Sequence, residues 1–192
     1  MKSWESLPAS KLKPGGPVAA AFIALNLEDY RAAARYLRGL AYGRNSNRTD
    51  PLAVLRERRG TCSTKHALLA HLAAEQQLPI RLMLGIYEMS ERNTPGVGRV
   101  LEKYGLASVP EAHCYLMYRN DRIDITRAVD GTEPIAKFLH EEAISPDQVA
   151  DYKVAVHQRF LRNWIETSTS AHTMSLDAAW KIREECIAAL AA

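Results

Sequence analysis

Two short strand-like segments, residues 112–118 and 122–126, flank the polar turn signal Arg119-Asn120-Asp121. Runs of this length with such a break read as two antiparallel strands joined by a tight hairpin. The turn admits two registers. If Arg119-Asn120 is the loop, His113 faces Thr126 and Asp124 is its diagonal neighbour on the same face. If Asn120-Asp121 is the loop, the offset doubles and a bulge is required. Ile80 to Tyr87 reads as a further, buried strand. Helical patterns occupy both flanks of this strand group. The expected fold is therefore α+β, helices first, then an antiparallel group, then helices. It lacks the strand–helix alternation of a doubly wound sheet.

Residues 1–16 read as a loose N-terminal arm ending in Pro14-Gly15-Gly16, and residues 17–192 as a single domain. A helical pattern runs over 18–42, with Asn26 interrupting it as a cap and Glu28 and Asp29 in the following first turn. Asp50-Pro51 starts another helix, a capping carboxylate followed by proline, and Gly60 ends it. The run Arg56-Glu57-Arg58-Arg59 reads as that helix's cationic end. The next helix opens at Thr61 or Cys62 and reaches Gln76, with Leu68, Leu69, Leu72 and Ala73 recurring at three- and four-residue intervals. Residues 90–110 form a long connection with a helix over 97–104; it serves as a lid or as a surface insertion. Residues 132–142 look helical, and Ser145-Pro146-Asp147 starts a further element. Tyr152, Val154 and Val156 alternate, so a strand there competes with a helix. Ser175 caps the last helix.

Composition narrows the function. A net charge of +3 over 192 residues, with no long Lys/Arg block, argues against nucleic acid. Cys62, Cys114 and Cys186 are too few and too widely spaced for a disulfide framework or a zinc site, and they fit a reducing compartment. His71, His140, His157 and His172 have no metal-like spacing, so neither metal nor cofactor is expected. The apolar run from Val18 to Leu25 is too short to span a bilayer. The expectation is a soluble, cytoplasmic protein that binds neither membrane nor nucleic acid. Nothing in the sequence addresses its oligomeric state.

Three residues carry chemistry. Cys62 follows Gly60-Thr61 and opens a helix, where the electropositive terminus favours thiolate over thiol. The same amides can stabilise an oxyanion formed by attack on a carbonyl. His113 and Asp124 lie on the two strands of the hairpin. A carboxylate beside an imidazole fixes its tautomer and steadies the imidazolium, leaving the other nitrogen to take a thiol proton. His66 is a rival base, four residues from Cys62 and so able to share a helix face.

These residues resemble the transglutaminase-like superfamily. The stretch Arg59-Gly60-Thr61-Cys62-Ser63 is similar to its Gly-x-Cys segment, and Leu78-Pro79-Ile80-Arg81 to its Pro-x-Arg passage. Gly85-Ile86-Tyr87 stands where the family often has a Gly-Tyr pair. His113-Cys114-Tyr115 resembles its His-x-Trp strand, with tyrosine for tryptophan, and Asp124-Ile125-Thr126 its Asp-x-Thr strand. The resemblance covers residues 50–127. It implies a papain/transglutaminase-like core, with a nucleophile helix packed on a small antiparallel sheet. It also implies a Cys62-His113-Asp124 triad that acts as a cysteine peptidase, amidase or transglutaminase-like acyltransferase through a thioester. The chain departs from the family at Lys65-His66, where a small or aromatic pair is usual, in the shortness of its hairpin and in the length of the 90–110 connection. It has no acidic cluster for calcium. Arylamine acetyltransferase chemistry is the alternative, although Arg59-Gly60-Thr61-Cys62 does not match that family's Arg-Gly-Gly-x-Cys signature. A non-catalytic binding domain on the same fold is the other.

Overall fold

The computed structural model describes residues 4–127, 135–168 and 171–191. Its elements are α1 (Pro17–Ala24), α2 (Tyr30–Gly39), β1 (Ala41–Tyr42), α3 (Ala53–Glu57), β2 (Arg59–Gly60), α4 (Cys62–Glu75), β3 (Ile80–Met89), α5 (Gly98–Lys103), β4 (Val109–Tyr118), β5 (Asp121–Ile123), β6 (His140–Ile144), α6 (Asp151–Thr167) and α7 (Leu176–Ala189). The protein is α+β. Strands β1 and β2 form a parallel pair, and the larger sheet has the order β5-β4-β3-β6. The described residues fall into two compact units, one of 4–84, 114–127 and 142–150 and the other of 85–113, 135–141, 151–168 and 171–191. Among the described residues no helix is long and apolar enough to cross a membrane.

The first unit is built around α4. Helices α1, α2 and α3, strand β2 and the 3-10 turn Pro146–Val149 all pack on it. The expected amphipathic helix is instead buried on every side over its first nine residues, including Ser63, Thr64, Lys65 and His66. Tyr30 of α2 donates to the Leu69 carbonyl (2.9 Å), tying that helix to the middle of α4. The Glu75 carboxylate accepts from the Val18 and Ala19 amides at 3.0 and 2.6 Å, so the end of α4 caps the start of α1. A Cβ on Gly16 would lie 2.3 Å from that carboxylate, so a larger residue there would have to displace the capping side chain. The break in the 18–42 pattern comes where Asn26 turns left-handed (φ 57), but the cap of α2 is Asp29, which accepts from the Ala32 amide at 2.7 Å. Residues 4–16 do not form a loose arm: Leu7 and Leu12 are buried, and Lys11 bridges to Asp29.

The hairpin takes the first of its two registers. Leu116, Met117 and Tyr118 stand opposite Ile123, Arg122 and Asp121, leaving Arg119-Asn120 as the loop. Arg119 adopts φ 55, the left-handed conformation that such tight loops use. Pairing stops at Ile123, so Asp124 lies just beyond the strand rather than within it. Its Oδ1 accepts from the Thr126 amide at 2.8 Å, a local turn that competes with the ladder.

In the second unit α7 packs on α5 and α6. The strand-or-helix ambiguity at Tyr152–Val156 resolves as helix α6, and Ser175 caps α7 by accepting from the Ala178 amide (3.2 Å). The helix expected over 132–142 is corrected in its described part. Residues 135–138 are irregular and β6 begins at His140, while 132–134 lie outside the described residues. The tertiary setting overrides local propensity here. Phe138 lies over Gly85, where a Cβ would come within 2.4 Å of its ring, and the Leu139 amide donates to the Ile86 carbonyl (2.7 Å). The long connection is tied down. Glu91 accepts from the Gly96 and Gly98 amides at 3.0 and 2.6 Å, and Glu185 of α7 holds Lys103 and Tyr104 at 2.9 and 2.8 Å.

Candidate active site

Cys62 is the first residue of α4. Thr61 precedes it as N-cap: its hydroxyl accepts from the Thr64 amide (3.5 Å), and the Thr64 hydroxyl accepts from the Thr61 amide (3.0 Å). This reciprocal cap fixes where the helix starts and so places Cys62 at the positive end of its dipole. The thiol sits in a side chain only 7% exposed. Its Sγ lies 3.8 Å from the Ser63 hydroxyl.

His66, one turn on, is fully buried. Its Nδ1 is 2.7 Å from the Cys62 carbonyl, which can only accept, so Nδ1 carries a proton. Its Nε2 accepts from the Ile125 amide at 2.9 Å. Both ring nitrogens are thus committed to backbone, in the neutral form. The ring also lies 3.5 Å from the Asp124 carboxylate, Nε2 to Oδ1. Within the first unit the structure therefore brings together Cys62, His66 and Asp124, with His66 as the bridge between the start of α4 and the hairpin end.

Lys65 is the residue whose setting the sequence does not announce. It has no exposed surface, and its Nζ donates to the Leu40 carbonyl at 2.7 Å and the Thr126 carbonyl at 2.9 Å. Burial pushes the ammonium down to about 8, while Asp124 and Cys62 pull it up and Arg127 pushes it down further. Gly60 makes room for the stem: a Cβ there would come within 2.8 Å of Lys65 Cγ.

His113 belongs to the second unit, as the last residue of its part of β4. It is 7% exposed, and Tyr87 meets it edge-on with ring centres 6.0 Å apart. Phe138 also meets Tyr87 edge-on (6.3 Å), and the Tyr87 hydroxyl pairs with Thr94 at 2.8 Å. Two residues before His113, Glu111 forms a bidentate pair with Arg183 of α7, both bonds 2.6 Å. His157 of α6 donates from Nε2 to the Pro110 carbonyl (2.7 Å). The strand segment leading to His113 is therefore gripped from two helices. Burial pushes the Glu111 carboxyl up, but Arg183, His157 and Lys153 outweigh it and hold the group at about 2. Burial, followed by the Arg183 and Lys153 charges, lowers His157 against the pull of Glu111.

Cys114 and Cys186 are wholly buried, and burial followed by the Glu111 charge raises the Cys186 thiol to about 11. Among the described residues no group of three His, Cys, Asp or Glu side chains is arranged to hold a metal ion. The chain matches no protein-family model, no curated protein and no solved structure.

Proposed function

We propose that the chain is a thiol-dependent acyl-transfer enzyme, a peptidase or amidase on a papain/transglutaminase-like core, with Cys62 as nucleophile, His113 as base and Asp124 as the group that orients it. The observation that carries this reading is the placement of Cys62 as the first residue of a capped, buried helix. The helix dipole there favours the thiolate and the anionic tetrahedral state alike. His66 is the weaker base, since its Nε2 lone pair already accepts from Ile125 and its Nδ1 proton is held by the Cys62 carbonyl.

In this mechanism His113 takes the Cys62 proton and sulfur attacks the carbonyl carbon of an amide. The C–N bond then breaks, the amine leaves with the proton from the imidazolium, and a thioester remains. Water cleaves it, or a second amine takes the acyl group. The substrate class is peptide or protein. Three free cysteines fit a cytoplasmic site of action.

The test is brief iodoacetamide treatment near neutral pH with peptide mapping, in wild type, His113→Ala and His66→Ala. Cys62 is expected to label before Cys114 and Cys186, and His113→Ala to raise the pH at which it labels. Preferential labelling of Cys114 or Cys186 would defeat the nucleophile assignment. A shift in His66→Ala but not in His113→Ala would reassign the base. Release of CoA from acetyl-CoA would favour the acetyltransferase alternative, and an unreactive Cys62 a binding domain.

A further inference from the structure

We propose that Lys65 is a positioning residue for the nucleophile: its buried ammonium fastens the turn that carries Asp124 to the first turn of α4 and supplies the positive charge that favours a Cys62 thiolate. The inference rests on the thiol-enzyme reading. It starts from an imbalance. An ammonium with no exposed surface is held by two neutral carbonyls, Leu40 and Thr126. The carbonyls take two of its three N–H donors but carry no net charge to balance it, and a buried charge seeks a counter-charge.

The groups that face it supply two candidates. Cys62 stands three residues back on the same helix, and Asp124 comes from the segment after β5; both favour the charged amine. Arg127, from that same segment, opposes them. The C-cap of α2 contributes the Leu40 carbonyl, and the Val54 side chain of α3 and Lys65 itself both close on Gly60 of β2. Helix α1 and the Pro146–Val149 turn meet α4 farther along, at Glu75 and His71, where Asp147 lies 3.9 Å from the His71 ring. Ionised Cys62 gives the ammonium a partner, and the ammonium in turn holds the thiol deprotonated. The tether adds geometry. Lys65 binds the Thr126 carbonyl while its neighbour His66 binds the Ile125 amide, so consecutive residues of the helix grip consecutive residues past Asp124. With a pKa near 8, the amine keeps its charge through neutral pH and loses it above that.

The test is the pH dependence of Cys62 alkylation by iodoacetamide in wild type and Lys65→Gln. Glutamine keeps two N–H donors and removes only the charge. The wild-type midpoint is expected below the ordinary cysteine value of about 8.5, and Lys65→Gln should raise it by about one pH unit, a tenfold slower reaction near neutrality. A low wild-type midpoint that Lys65→Gln leaves unmoved overturns the Lys65 assignment and spares the thiol reading. An ordinary wild-type midpoint overturns both. A second measurement needs no change at Lys65. Coupling is reciprocal, so the midpoint of the isotope-labelled Lys65 Cε resonance should fall in Cys62→Ser. An identical midpoint in wild type and Cys62→Ser also overturns the assignment, even if Lys65→Gln does not fold.

Discussion

The Glu111–Arg183 pair offers a measurement whose size follows from the structure. Glu111→Gln keeps the shape of the side chain and removes its charge, leaving the Arg183 guanidinium, 10% exposed, beside a neutral amide. The carboxyl is held at about 2 against an ordinary 4.5. At about 1.4 kcal/mol per pH unit, that depression corresponds to roughly 3 kcal/mol of native-state preference for the ionised form. Removing one partner of a buried pair costs about 3–5 kcal/mol in general. Glu184 still accepts from Arg183 at 2.6 Å, which places the cost at the lower end. The expected loss near neutral pH is therefore about 3 kcal/mol, or a melting temperature lower by about 6–12 °C for a chain of this length. The sign of the pH dependence is set by the depressed pKa. The contribution is complete above 4.5 and is lost as pH falls through about 2. Urea unfolding followed by circular dichroism, at neutral pH and near pH 3, checks both parts. The gap between wild type and Glu111→Gln should shrink by half or more at the lower pH. A neutral-pH gap under about 1 kcal/mol, or one that does not change with pH, would refute the reasoning.

Three further outcomes are expected. Gly85→Ala forces a Cβ to within 2.4 Å of the Phe138 ring and should cost about 1–3 kcal/mol in urea unfolding, while Gly105→Ala, with nothing within 4 Å, should show backbone strain alone. Glu75→Gln weakens the caps on Val18 and Ala19 and should lower stability by about 0.5–2 kcal/mol, with faster amide exchange confined to the start of α1. Asp29→Ala removes the cap of α2 and should cost about 1 kcal/mol, largely restored by Asp29→Asn.

What could be read from the sequence was local chemistry. The start of α4 follows from Thr61, the cap of α7 from Ser175, and the presence of a hairpin from Arg119-Asn120-Asp121, each a signal contained in a few residues, while the choice between its two registers does not. What escaped reading depends on partners far along the chain. The setting of Lys65 and His66 is made by Thr126, Ile125 and Leu40, which the sequence around them does not reveal. Residues 140–144 have helix-compatible composition and become a strand in the sheet beside β3. Asp124 continues the alternation of β5, yet its own side chain turns the chain at Thr126 and ends the pairing. The helix start at Cys62 was therefore legible, whereas the long-range contacts of Lys65 and His66 were not.

The grip of Lys65 and His66 on the far side of the hairpin has a consequence for the order of assembly. Their partners lie 61 and 59 residues later in the chain. At a synthesis rate of about 5–20 residues per second, Lys65 and His66 are made about 3–12 s before those partners. During that interval a lysine and a histidine that end fully buried must stay hydrated. The first turn of α4 therefore belongs to the late-closing part of the protein, and Cys62 acquires its electrostatic surroundings only when residues 125 and 126 arrive.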